Sequence, residues 1–163
     1  MRRSRPALAA IAGAVVAATA ASASTSHEGW PPINGEVKIH RNDQSGVLRG
    51  MRHRHNELLG GNGNDTIVAS RVGDVMWGDY KPSGQPTTQV DRFYGGPGKD
   101  FIYASHGWNT IITGGGPDVV HAHFGRGVIR CSSATATVYL SHRSRGHYHL
   151  HGCRHISYRT LGH

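Results

Sequence analysis

The sequence predicts an all-β fold, a parallel β-solenoid of nine-residue repeats with 18 residues in each coil. Three observations predict it: the composition, a glycine-rich phrase that recurs, and an apolar residue that returns every nine positions. The chain of 163 residues holds 23 glycines and is 37% hydrophobic. This is not a helical composition, because a glycine in a helix interior costs about 1 kcal/mol relative to alanine. A short fixed repeat is typical of solenoids, in which each unit buries its apolar face against its neighbours.

The recurring phrase has the form G-G-x-G-x-D-x-U-x, where U is a large apolar residue. Residues 60–68 read GGNGNDTIV and residues 95–103 read GGPGKDFIY, so both match every fixed position. Residues 113–121 read TGGGPDVVH and depart only at the first position. Asp100 and Asp118 are 18 residues apart, which is two repeats, so they are expected on the same edge of adjacent coils.

The apolar position keeps this period for longer than the aspartate does. Upstream, Leu58, Ile67 and Met76 follow two residues after Asn56, Asp65 and Asp74. Counting in nines from Asp91, the U positions fall on Phe93, Ile102, Ile111, Val120, Ile129, Val138, His147 and Ile156. Only His147 is not large and apolar, which is expected if the U residue builds the core and the aspartate serves a local site.

The register breaks once, between Asp74 and Asp91, which are 17 residues apart. The intervening segment GDYKPSGQPTTQV contains two prolines and no repeat glycines around a U residue. Such residues favour turns and loops. We expect a loop extruded from the stack at about residues 79–90, or a distorted repeat.

A nine-residue unit has room for a three-residue strand and a tight turn. In the strand x-U-x, the U side chain points to one face and its neighbours to the other. Two units then make one coil, and coils stack about 4.8 Å apart through parallel backbone hydrogen bonds. Glycine is favoured in the turns because left-handed backbone torsions cost it nothing.

These phrases resemble the RTX, or haemolysin-type, calcium-binding nonapeptide repeat, which folds as a parallel β-roll. The resemblance covers about residues 56–156 and is most specific at GGNGNDTIV and GGPGKDFIY. It implies Ca²⁺ between stacked turns, held by an aspartate from one turn and backbone carbonyls from others. Ca²⁺ takes six to eight oxygen ligands, which glycine turns can supply. The residues implied as ligands are Asp65 with Gly61 and Gly63, Asp100 with Gly96 and Gly98, Asp118 with Gly114 and Gly116, and Asp74 and Asp91, whose preceding glycines are mostly missing.

The chain also departs from that family. RTX modules are usually acidic, whereas this chain has a formal net charge of +8. No acidic residue follows Asp118, and the later sixth positions of the repeat are Gly127, Ala136, Arg145 and Arg154. The ligand count therefore predicts one to three ions.

The N-terminus predicts export. Arg2, Arg3 and Arg5 precede an uncharged Ala/Val-rich run that ends in a small-x-small cleavage pattern, as in a secretory signal peptide. We predict a signal peptide at residues 1–23, cleaved after Ala23, and a secreted protein; a membrane anchor is the weaker alternative. Residues 24–46 are predicted as an N-terminal segment or cap, and residues 47–163 as the β-roll, with a C-terminal cap at about 144–163.

Two cysteines and thirteen histidines add further candidates. In an exported protein, Cys131 and Cys153 are predicted to form a disulfide; two free thiols or a zinc site are alternatives. They fall on one edge, in adjacent coils, where no ion is expected. Histidines that alternate along strands share a face, so two sets are candidate transition-metal ligands or a solvated polar face: His121 with His123, and His147 with His149 and His151.

The predicted function is a secreted, non-catalytic Ca²⁺-binding module with a structural or interaction role. Neither a phosphate-binding G-x-x-x-x-G-K-[ST] motif nor a catalytic G-x-S-x-G or H-E-x-x-H motif is present. The alternative is a scaffold that binds a cell envelope or an acidic polysaccharide, because basic side chains gather in the last third of the chain. These are Arg126, Arg130, Arg143, Arg145, Arg154 and Arg159. Nucleic acid is not expected, since no recognised nucleic-acid module accompanies the charge.

Overall fold

The computed structural model describes residues 29–40, 44–79 and 84–159. The predicted signal peptide at residues 1–23 lies outside the described residues. The described part is all-β, with short strands joined by turns. The strands are β1 (Val37–Ile39), β2 (Gly46–Arg49), β3 (Glu57–Leu59), β4 (Asp65–Val68), β5 (Val75–Trp77), β6 (Val90–Tyr94), β7 (Phe101–Tyr103), β8 (Trp108–Ile112), β9 (Val119–Ala122), β10 (Arg126–Arg130), β11 (Thr137–Leu140), β12 (Tyr148–His151) and β13 (His155–Ser157).

Successive strands alternate between two parallel sheets. The odd sheet has the order β1-β3-β5-β7-β9-β11-β13, and the even sheet has the order β12-β10-β8-β6-β4-β2. Each strand therefore pairs with the strand two places later in the chain, one coil further along the stack. This is the predicted parallel β-roll, and it is confirmed. In the described residues no helix is long and apolar enough to cross a membrane.

The core is a single file of U residues between the two sheets. Cross-strand partners in the odd sheet include Leu58 with Met76 and Ile102 with Val120. All the U residues from the third strand to the eleventh have no solvent exposure: Leu58, Ile67, Met76, Phe93, Ile102, Ile111, Val120, Ile129 and Val138. Burying a side chain of this size stabilises a fold by about 1.5–3 kcal/mol, so this file supplies the main driving force for stacking.

The turns form two edges, which we name by the sheet that they enter. The odd edge consists of the turns that precede odd-numbered strands, and the even edge of those that precede even-numbered strands. Residues 78–89 connect β5 to β6 on the even edge. Across this connection Ile67 pairs with Phe93, 26 residues on, instead of 18. The coil is thus eight residues longer than a regular one, and Asp74 and Asp91 lie in consecutive repeats on opposite edges.

The nine-residue count is wrong for the repeat before the last. In the even sheet Ile129 pairs with Leu150, 21 residues on, so the strand is shifted by three residues. His147 is exposed, whereas Tyr148 is buried and Leu150 packs against the core. The three extra residues lie in the turn after β11. They place Leu150 beside Ile129 in the even sheet, where counting in nines had placed His147. The predicted sixth position Arg145 is likewise wrong, because Tyr148 takes that place opposite Gly127.

The outer face of the odd sheet is covered by aromatic rings and by the N-terminal segment. Trp77, Tyr103, His121 and Tyr139 occupy one cross-strand row and stack with ring-centroid distances of 3.9, 4.6 and 5.2 Å. Trp30 packs edge-on against this row, and its indole N–H donates to the Tyr103 hydroxyl at 2.9 Å. Edge-to-face and stacked pairs of this kind contribute about 0.5–1.5 kcal/mol each beyond their burial.

A disulfide joins Cys131 to Cys153 on the odd edge, with the Cα atoms 4.9 Å apart. It links the turns that follow β10 and β12, which are neighbours in the even sheet. Both cysteines pack against the core. The bond therefore closes the stack at the C-terminal coils, where the acidic positions have ended.

We expect the Cys131→Ser/Cys153→Ser variant to lose about 2–4 kcal/mol of unfolding free energy, because the unfolded chain is no longer cross-linked. Urea unfolding with and without reductant measures this loss. Reductant should cost the wild type the same amount and leave the double variant unchanged. Two reactive thiols in the denatured, unreduced protein would contradict the bond.

Candidate metal centre

Acidic and amide side chains form a ladder along the odd edge. The ladder consists of the residues at the sixth position of the repeat in four successive coils, and none of them has any solvent exposure: Asn56, Asp74, Asp100 and Asp118. Each carboxylate Oδ1 accepts the backbone N–H of the ladder residue in the preceding coil. The backbone N–H of Asn56 donates to Asp74 at 2.7 Å, that of Asp74 donates to Asp100 at 2.7 Å, and that of Asp100 donates to Asp118 at 2.8 Å. The aspartates that the repeat pattern predicted as ligands therefore also hydrogen-bond each turn to the preceding one.

The second carboxylate oxygen, Oδ2, accepts a backbone N–H from its own turn. The Gly96 N–H donates to Asp100 Oδ2 at 2.6 Å, and the Gly114 N–H donates to Asp118 Oδ2 at 2.9 Å. Ser70 donates in the same way to Asp74. Over the described residues these three aspartates form no salt bridge; the ion pairs there involve other carboxylates. Backbone N–H groups hold this ladder, and for Asp74 the Asn56 side-chain amide also donates, at 2.8 Å.

The glycines of the odd edge stack directly on one another. A Cβ added at Gly114 would lie 1.6 Å from the Gly96 carbonyl oxygen, and one added at Gly116 would lie 2.0 Å from that of Gly98. The Gly96 and Gly98 carbonyls therefore point at the next turn, across a gap that admits no side chain. In the described part of the chain neither carbonyl accepts a hydrogen bond. Such carbonyls beside a carboxylate are the donor set that Ca²⁺ prefers.

Burial disfavours the charged form of these carboxyl groups. It raises the pKa of Asp100 to about 7, and the neighbouring carboxylates of Asp118 and Asp74 add to the effect. Burial likewise raises the pKa of Asp118 to about 6. Hydrogen bonds from backbone N–H groups oppose the shift but do not cancel it. A bound divalent cation would supply the missing positive charge.

The even edge carries a shorter acidic series, in which Asp91 Oδ1 accepts the backbone N–H of Asp65 at 2.8 Å. Asp65 Oδ1 also pairs with the His40 Nδ1 at 2.7 Å, so an imidazole already occupies the place of a cation. The Oδ2 atoms of both aspartates are buried and have no hydrogen-bond partner within the described residues. Burial raises the pKa of Asp91 to about 7 and raises that of Asp65 despite His40.

The two glycines predicted beside Asp65 lie in the turn before it. Gly61 has a φ of 89°, a left-handed conformation that favours glycine, and a Cβ at Gly63 would lie 2.2 Å from the Gln44 carbonyl oxygen. This turn therefore stacks closely on the preceding one, as the turns of the odd edge do.

The even-edge series of Asp65 and Asp91 continues with Asn109, whose Oδ1 accepts the backbone N–H of Ser105 at 2.9 Å.

A second buried carboxylate group was not predicted from the sequence. Asp79 binds the backbone N–H of His106 at 2.9 Å, and its side chain also contacts the His106 ring and the Gln89 amide. Burial raises its pKa in spite of these bonds. Asp79 lies in the long connection outside the nine-residue register, so no spacing signal marked it. Among the described residues, the two pairs of an imidazole with a carboxylate, His40 with Asp65 and His106 with Asp79, both lie on the even edge.

The two candidate sets of histidines do not come together as a transition-metal site in the described residues. Nowhere in residues 29–40, 44–79 and 84–159 do three His, Cys, Asp or Glu side chains group closely enough to hold a metal ion. His121 lies in the aromatic row, and its ring meets that of His123 edge-on at 5.4 Å. His147, His149 and His151 are exposed along β12 and the residue before it.

Comparison with known families agrees with this geometry. The family model of the RTX calcium-binding nonapeptide repeat matches in four copies, over residues 55–79 and 87–120. These ranges hold all five predicted aspartate ligands, Asp65, Asp74, Asp91, Asp100 and Asp118, and they omit most of the long connection. Searches among curated proteins and solved structures found no match.

Proposed function

We propose that this β-roll, parts of which match the RTX calcium-binding repeat, binds Ca²⁺ on the odd edge, between the turns 95–100 and 113–118. One observation carries the proposal. Two stacked, buried carboxylates without a cationic partner adjoin stacked glycine carbonyls that accept no hydrogen bond within the described residues. Such a set suits a hard cation and leaves no space for a side chain.

Asp100 and Asp118 would provide the charged ligands, and the Gly96 and Gly98 carbonyls the neutral ones. Gly114 and Gly116 would present equivalent carbonyls toward the following turn. Asp74 extends the same ladder, but its turn has Ser70 where the next turns have glycine. Asp65 and Asp91, with Gly61 and Gly63, are candidates for a further ion on the even edge; His40 competes for Asp65. We expect one to three ions.

The bound ions would act structurally, by neutralising buried carboxylates and fastening one coil to the next. We propose a secreted, non-catalytic protein in which the signal peptide at residues 1–23 is removed after Ala23. The Cys131–Cys153 bond supports export, because disulfides persist in oxidising compartments. Binding and folding would then be coupled, as expected for a site formed by several coils.

Calorimetric titration with CaCl₂ tests the proposal. We expect Asp100→Asn/Asp118→Asn to weaken the tightest Ca²⁺ site at least tenfold, because both charged ligands are replaced by neutral ones. Asparagine is already tolerated at the sixth position: Asn109 and Asn56 hold backbone N–H groups through their Oδ1 atoms.

The matched control is Glu36→Gln/Glu57→Gln, which removes two negative charges outside the glycine turns. Its Ca²⁺ affinity should stay within twofold of the wild type. An equal loss in both variants would show that net charge, not the odd-edge site, determines binding. An absence of saturable heat in the folded wild type would refute the proposal.

A further inference from the structure

The outer face of the even sheet differs in kind from that of the odd sheet. Outward side chains of neighbouring strands line up in three cross-strand rows, which contain Val90, Arg92 and Tyr94 of β6 respectively. These rows present basic, aromatic, aliphatic and hydroxyl side chains. Among the described residues this face has no outward acidic group, since Asp65 and Asp91 in the same strands are buried. Tyr94 and Trp108 are 39% and 41% exposed, so no described segment covers the face. The outward cationic side chains are those of Arg49, Arg92, Arg126 and Arg130.

Three of these arginines lie on a diagonal. Arg49 pairs with Val68, and Val68 pairs with Tyr94, so these three residues form one cross-strand row. Arg92 precedes Tyr94 by two residues, so it lies in the neighbouring row, two strands away from Arg49. Arg126 lies two strands further and one row below, since Trp108 pairs with both Val90 and Arg126. With a strand spacing of about 4.8 Å and about 3.3 Å per residue, successive guanidinium-bearing residues are roughly 12 Å apart. The charges therefore form a sparse, regular line across a flat face.

The diagonal ends in a cleft. A cavity of about 470 Å³ lies where β8, β10 and the start of β12 meet the long connection. Trp108, Arg126, His147 and His149 line it, together with Thr87 and His106. None of the lining residues is acidic, and Asp79, which accepts the backbone N–H of the lining residue His106, is buried. An exposed indole beside a guanidinium offers both an apolar surface and a bidentate donor for a carboxylate.

We propose that this face binds an acidic polysaccharide, with one carboxylate-bearing sugar in the Trp108–Arg126 cleft and the chain continuing past Arg92 toward Arg49. The charge spacing favours this partner over nucleic acid, whose phosphates recur about every 3.4 Å along a strand and would mostly lack a partner here. In acidic polysaccharides the carboxylates recur once per sugar or once per disaccharide. Trp108 lies on the strand between Arg92 and Arg126, where the C–H face of an uncharged stretch can pack.

The test uses hyaluronan oligosaccharides, which carry one carboxylate per disaccharide. Arg49→Gln/Arg92→Gln/Arg126→Gln should weaken their binding at least tenfold in calorimetry. The matched control, Arg54→Gln/Arg154→Gln/Arg159→Gln, removes the same charge from exposed positions outside the sheet face and should stay within twofold. All titrations are made in CaCl₂, so that every variant is compared in the same state. Because this face is separate from the odd edge, Asp100→Asn/Asp118→Asn should bind hyaluronan like the wild type.

A second variant separates a built site from general attraction. Trp108→Ala leaves every charge in place and should still weaken hyaluronan binding at least threefold, without changing its salt dependence. Equal losses in the two arginine variants, an unchanged Trp108→Ala affinity, or tighter binding to an oligonucleotide or to anionic vesicles would each overturn the proposal. Circular dichroism of each variant confirms that the β-roll is intact before it is titrated.

Discussion

Calcium-free protein is expected to lose stability as the pH rises from 5 to 7.5, and calcium-saturated protein is expected not to. Burial raises the folded-state pKa of Asp100 and Asp91 to about 7 and that of Asp118 to about 6. In the unfolded chain an aspartate has a pKa of about 3.9. Between these values the folded state binds more protons, so the protons stabilise it at low pH and this stabilisation is lost as the pH rises through 6 to 7.

Calcium removes this dependence of stability on pH because it binds the charged carboxylates and competes with protons. Its affinity should therefore increase from pH 5.5 to pH 7.5. Without calcium we expect the melting temperature to fall by on the order of 10 °C over this range, which corresponds to a few kcal/mol. Differential scanning calorimetry in EDTA and in CaCl₂ at several pH values measures both curves, and the gap between them should widen with pH.

The chain holds thirteen histidines, and an imidazole ordinarily has a pKa of about 6.5, so the comparison needs a variant that keeps them all. Asp100→Asn/Asp118→Asn does so and removes two of the raised carboxyl groups. Its EDTA curve should be flatter than that of the wild type, and calcium should shift it less. A wild-type curve that rises with pH in EDTA would mean that the ladder is charged without the ion.

Much of this fold follows from local rules that the sequence displays. The U residue of each repeat must face inward because side chains alternate along a strand, and this alone predicts cross-strand partners such as Ile102 with Val120. The prediction is wrong at His147 because counting in nines assumes turns of equal length. Three extra residues in the turn after β11 move Leu150 under Ile129, and burial of an apolar side chain decides the register.

The acidic positions of the candidate site were equally visible, but their electrostatic surroundings were not. Asp65 and Asp100 occupy the same place in nearly identical glycine phrases. Only the folded chain reveals that His40, 25 residues away, pairs with Asp65. The Asp100 carboxylate instead accepts hydrogen bonds from the backbone N–H groups of Asp74 and Gly96. His40 belongs to no repeat, so its approach depends on how the first coils close and not on any spacing that the sequence contains.

Gly114→Ala is expected to be the most destabilising single-atom change in the candidate site. The added methyl group would lie 1.6 Å from the Gly96 carbonyl oxygen and 2.5 Å from its carbon, and both belong to backbone that is fixed by the stack. Gly114 does not have a positive φ, so the penalty is steric and not torsional. We expect a loss of about 3 kcal/mol or more, at the upper end of the costs of overpacking.

The adjacent residue offers a control within the same turn. A Cβ at Gly115 would lie 4.0 Å from the Pro97 Cα, an ordinary contact, so Gly115→Ala should change the unfolding free energy by less than about 0.5 kcal/mol. Urea unfolding in CaCl₂ compares the two variants, and calcium titration of whichever folded fraction remains should show loss of affinity only for Gly114→Ala. Because the two changes add the same group one residue apart, equal effects would mean that the turns 95–100 and 113–118 are not closely stacked. A shared site between those turns would then have no structural basis.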